Sequence, residues 1–141
     1  MKSILKNYRS SLPLVAFILV AMTMAACGGG GQRAAQEGQL EEVKEETEMQ
    51  IRMLRNDIEE RIEYIEEELE EAEGEMEEHL QEAKQELQAQ IEILDEQSEA
   101  VQEATLETWE DVRLNLQQVY QEASETRNQV SEEVRRMIEG E

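Results

Sequence analysis

Cysteine is nearly absent from this 141-residue chain: Cys27 is the only one, so no disulfide can form within the chain and any stabilising core must be built without a covalent staple. Proline is equally scarce, with Pro13 alone, and between residues 39 and 139 the only glycine is Gly74. With so few breakers, little in that stretch marks a turn. His79 is the sole histidine. A zinc site wants three or four convergent Cys, His or carboxylate ligands, so none is expected, and His79 reads as a solvent-exposed helical side chain beside Glu77 and Glu78. There is no glycine-rich phosphate loop, no nucleophile elbow, and no Ser, His and Asp set that one helix could bring together. An enzyme is not expected, nor is a cofactor. Basic charge is also lacking. After Cys27 there are ten basic residues against 35 acidic ones, a formal net charge of −25. Phosphate binding requires a basic footprint, which excludes nucleic acid as a partner, and the same charge disfavours lying flat on anionic lipid. The run 66–78 holds nine glutamates, but a helix points them outward all round and cannot wrap them about one calcium as an EF-hand loop does.

The N-terminal residues follow a different rule. Residues 1–13 contain Lys2, Lys6 and Arg9 and no acid; the apolar run 14–24 follows, and then the small pair Ala25 and Ala26 before Cys27. Basic, apolar and small residues in that order are the layout of a secretory signal over 1–26. A membrane-spanning helix needs about 20 apolar residues. This run ends well short of that and gives way to Gly28, Gly29, Gly30 and Gly31, so it is too short to span.

The junction Met24, Ala25, Ala26, Cys27 resembles the lipobox of bacterial lipoproteins, in which two small residues precede the cysteine, although the family usually has Leu where this chain has Met24. The resemblance covers the signal and the cysteine only. It implies diacylglyceryl transfer to the Cys27 sulfur, cleavage between Ala26 and Cys27, and acylation of the new amino group, so that the covalent diacylglycerol and N-acyl chain at Cys27 anchor the protein to a membrane. Stable anchoring takes more than one acyl chain, and this arrangement supplies it. In Gram-negative members an Asp after the lipidated cysteine signals inner-membrane retention. Here that residue is Gly28, which implies the outer membrane, with the chain facing the periplasm.

After the anchor, 27–38 contains five glycines with Gln, Arg and Ala and reads as a flexible tether. Residues 39–139 read as all-α. An apolar stripe runs from Leu40 to Val134 in steps of three or four, with a mean of 3.6, the repeat of an α-helix. Its strongest positions are Ile51, Leu54, Ile58, Ile62, Ile65, Leu69, Leu80, Leu87, Ile91, Leu94, Trp109, Val112, Leu116 and Val119. The stripe passes Gly74 without a phase jump, from Ala72 to Met76, so Gly74 is expected as a weak point costing about 1 kcal/mol and not as a turn. Glu41 and Glu42 suit a helix N-terminus and Arg135, Arg136 and Gly140 a C-terminus. The expectation is therefore one amphipathic helix over 39–139, about 150 Å long. The alternative is a helical hairpin, turning near 95–98 or before the capping-box-like stretch from Thr108 to Asp111.

An uncovered stripe of Ile, Leu and Val seeks a partner. The default is self-association as a parallel bundle, and another helical envelope protein would serve as well. Around Trp109, Val112, Leu116, Val119 and Tyr120 the stripe widens, as a second contact would require. Two function classes follow. One is a structural or scaffold rod anchored at Cys27; its layout, a lipidated cysteine followed by a helix, is similar to that of murein lipoprotein, but the chain lacks the terminal Lys through which that family joins peptidoglycan. The other is a binding module whose amphipathic helix covers a hydrophobic surface of another protein or a lipid particle, as exchangeable apolipoproteins do.

Overall fold

In a computed structural model residues 31–140 are described, and they form three helices, α1 (Gly31–Leu69), α2 (Glu75–Glu103) and α3 (Trp109–Glu139). There is no strand among them. The signal peptide expected over 1–26 and the lipidation expected at Cys27 lie outside the described residues.

The all-helical expectation holds, but the single helix over 39–139 does not. The chain turns twice, and the three helices pack side by side. Lys84 of α2 pairs with Glu66 of α1 at 2.6 Å, and Arg55 of α1 with Asp95 of α2 at 2.9 Å. These pairs fix α1 and α2 as antiparallel. Asn115 of α3 donates to Gln97 of α2 at 3.2 Å, and Arg127 of α3 pairs with Asp57 of α1, so α3 returns antiparallel to α2 and parallel to α1. The longest helix, α1, has 39 residues and spans about 58 Å, well short of the 150 Å expected for one rod.

The first turn is the one the stripe concealed. At the end of α1 the amides of Glu70 and Glu71 reach back only three residues, to the carbonyls of Glu67 and Glu68 at 3.3 Å. This tightening is common where a helix ends. Gly74 then adopts φ 67° and ψ −131°, a region essentially reserved for glycine, and the chain re-enters a helix with Glu75, Glu77 and Glu78 in the first turn, where the helix dipole favours anions. Gly74 is thus a turn residue and not a weak point within a helix. Unbroken phase misled because a stripe reports which face is buried, not the path the chain takes between buried faces.

The second turn matches one of the two hairpin positions expected, before Thr108; the other, 95–98, lies inside α2. Thr108 precedes α3, but its side chain does not cap that helix. With φ −100° and ψ −12° it is already right-handed, whereas a capping residue sits in the extended region. Its Oγ1 instead accepts from the Thr105 amide at 2.9 Å, across the turn. At the far end Gly140, left-handed at φ 70°, donates its amide to the Arg136 carbonyl, the C-terminal cap the sequence leads one to expect.

Helix α1 also begins earlier than expected, at Gly31, inside the 27–38 stretch read as tether. All of residues 31–39 are exposed, so this portion extends the helix without joining the core.

Candidate functional site

The stripe residues meet one another within a single chain. Ile51, Leu54, Ile58 and Ile65 of α1, Leu80, Leu87 and Leu94 of α2, and Leu116 of α3 are buried in one continuous cluster, with Ile62, Leu69, Ile91, Trp109, Val112 and Val119 half-buried against it. Ile58, Leu80, Leu87 and Leu94 are 0% exposed, so no further chain is needed to cover them.

Three buried polar residues escaped the sequence reading. Gln90 and Gln97 are buried on α2, each 9% exposed, because α2 faces two neighbours and its buried arc is wider than a one-residue-per-turn stripe. The third, Lys44, is 8% exposed. Its ammonium donates to the Gln102 carbonyl at 2.8 Å and the Ala104 carbonyl at 3.1 Å, and pairs with Glu41 at 3.2 Å. A helix leaves its last carbonyls without internal partners, and here a lysine of α1 supplies the end of α2. Only the position of Lys44, four residues after Leu40 on the stripe side of α1, hinted at burial.

The antiparallel path sorts the surface into two ends. The N-terminal part of α1 and the 104–108 turn lie together, as the Lys44 contacts require. At the opposite end lie the glutamate-rich α1–α2 turn and the C-terminus of α3. Burial, then the charge of Glu68 and its hydrogen bond, raise the pKa of the Tyr64 hydroxyl; because α3 runs parallel to α1 from the Arg127–Asp57 pair, its tail ends beside the end of α1. The nine glutamates of 66–78 therefore cap the end of the bundle opposite Lys44 and the 104–108 turn. His79 is exposed, its Nδ1 3.9 Å from a Glu82 oxygen. No group of three or more His, Cys, Asp or Glu converges among the described residues.

Near the other end, Trp109, Arg113, Leu116, Gln117 and Tyr120 of α3 line a shallow groove with Thr47, Gln50 and Ile51 of α1. It encloses about 30 Å³, room for about two waters. The widened stripe at Trp109–Tyr120 is thus packing of α3 against the common core. Arg113 at its edge is held by Glu110 at 3.1 Å through Nε; that bond lowers the Glu110 pKa and raises that of Arg113. Among the described residues the large apolar side chains left exposed are Met49, Met53, Tyr64 and Leu114, and no helix among them is long and apolar enough to cross a membrane.

No family model matches the sequence, and no similar curated protein or solved structure was found.

Proposed function

We propose that the chain is a lipid-anchored envelope protein, held by acyl chains at Cys27, that presents a compact acidic three-helix bundle as a spacer or scaffold. The observation that carries this reading is the asymmetry of the molecule about its N-terminus. The lipobox-like junction at Ala26 and Cys27 is followed four residues later by Gly31, where α1 begins. From there nine exposed residues, 31–39, form a stalk about 13 Å long leading to the bundle. The glutamate-rich turn is at the far end, where repulsion from anionic headgroups is weakest, because such fields fade within about a Debye length. The outer membrane, with the bundle facing the periplasm, follows from Gly28 by the lipoprotein resemblance.

The second reading, a helix whose apolar face covers another protein or a lipid particle, is less economical. That face is already covered by the chain's own helices, and using it elsewhere would require opening the bundle. The test is Cys27→Ser expressed with its signal. Loss of membrane fractionation and of fatty-acid labelling, with unchanged helix content, is expected. A Cys27→Ser protein that still sediments with membranes after its signal is removed would overturn the anchored-spacer reading.

A further inference from the structure

We propose that the 104–108 turn is a hinge through which α3 exchanges between two copies of the chain, giving a dimer in which α2 and α3 form one straight helix. The inference is independent of how the chain is anchored, and four observations carry it. First, the buried positions of α2 and α3 keep one helical phase across the turn: Leu94, Gln97 and Val101 lead through 104–108 to Val112, Leu116, Val119 and Ala123 in steps of three or four. A turn imposes no such rule, and an apolar stripe about 100° wide would realign by chance about one time in four. A helix straightened here would still present one unbroken face.

Second, nothing in the turn bars a helix. Ala104 leaves α2 in the extended region, at φ −61° and ψ 138°, and Thr108 is right-handed again. The segment Ala104, Thr105, Leu106, Glu107, Thr108 contains neither glycine nor proline. The 70–74 turn is different, since it turns on Gly74 at positive φ, and a glycine inside a straightened helix would cost about 1 kcal/mol. Third, the hydrogen bonds that close the turn are ones a straight helix would replace: the Gln102 and Ala104 carbonyls, taken here by Lys44, would accept from the amides of Leu106 and Thr108. Lys44 therefore acts as a latch that favours the closed chain.

Fourth, exchange preserves the contacts that α3 makes with α1 and α2. In the dimer α3 of one copy would occupy the same place against α1 and α2 of the other, so Asn115 would meet the partner's Gln97 and Arg127 the partner's Asp57. Short hinge loops between matched elements are the setting in which such swapping occurs at low cost. The straight helix would run from Glu75 to Glu139, about 98 Å.

The test uses residues 28–141, which contain all three helices and no cysteine. Gln97→Cys with Asn115→Cys provides a pair, in contact across α2 and α3, that a short bis-maleimide can join. At micromolar concentration the link should form within a chain; near millimolar concentration, links between chains should appear as a covalent dimer. Lys44→Met should raise the dimer association constant about a hundredfold, the scale of one charge-assisted hydrogen bond lost in each of the two chains. Thr105→Pro should abolish the dimer, because proline cannot sit within the straight helix, while Ala104 already has the extended ψ that a residue before proline prefers. Links confined within chains at every concentration would overturn the proposal, as would a Thr105→Pro protein that dimerises like the parent. Should Lys44→Met fail to fold, the Thr105→Pro comparison at high concentration still decides.

Discussion

Replacing Gly74 by alanine isolates the physical basis of the first turn. A Cβ at this position would meet nothing within 4 Å, so any cost must be conformational. At φ 67° and ψ −131° an L-residue is strained by about 1–3 kcal/mol. Against this, alanine lowers the entropy of the unfolded chain and returns about 0.4–1 kcal/mol. The net expectation for Gly74→Ala is a loss of about 1–2 kcal/mol, or a fall in Tm of about 4–8 °C at about 4 °C per kcal/mol for a domain near this size. Gly38→Ala is the matched control. It adds the same methyl group to open space within α1, where alanine gains up to about 1 kcal/mol over glycine, so its sign should be reversed. Urea titration followed by circular dichroism at 222 nm measures both. A Gly74→Ala protein as stable as the parent would show that residue 74 is not held at positive φ. The helix would then run through 70–74, and the three-helix arrangement would be refuted.

Further expectations follow from burial and charge. Leu87, fully buried between helices, should lose about 2–5 kcal/mol on change to alanine, whereas Met53→Ala, at a side chain 65% exposed, should stay within about 0.5 kcal/mol; equal losses in urea titration would contradict the placement of the core. Ile58→Asp with Ile62→Asp puts two charges into that core and should unfold the monomer, visible as lost ellipticity, and not merely separate folded chains. Exposed acidic neighbours such as Glu59 with Glu63 and Glu63 with Glu67 repel by about 0.2–0.5 kcal/mol per pair, so Tm should rise between 0.01 and 0.15 M salt, as the screening length falls from about 30 to about 8 Å. A Tm that falls instead would show that the Arg55–Asp95, Lys84–Glu66 and Arg127–Asp57 pairs dominate. The Glu110 carboxyl is held below its usual pKa by the Arg113 hydrogen bond. Its contribution is therefore present at neutral pH and lost as pH falls through that lowered value. The small difference in melting between Glu110→Gln and the parent should vanish in acid, and a difference that grows in acid would reverse the assigned sign.

The sequence alone determined the helical class, the face of each helix that would be buried and the C-terminal stop at Gly140. Each depends on local rules: residue propensity, a 3.6-residue period, and the freedom of glycine at a left-handed position. Period also picked out the apolar stripe, from Ile51 to Val119, but as a seam expected between chains. Only the tertiary structure decided what those residues touch. A stripe has the same period whether it packs on a second chain or on the next segment of its own, and the phase carried through Gly74 and 104–108 removed the one local sign that would have separated the two. Burial of Lys44, Gln90 and Gln97 was likewise a tertiary matter, because a polar side chain becomes internal only where a neighbouring helix arrives with a partner for it, as α2 does for Lys44 with the carbonyls of Gln102 and Ala104.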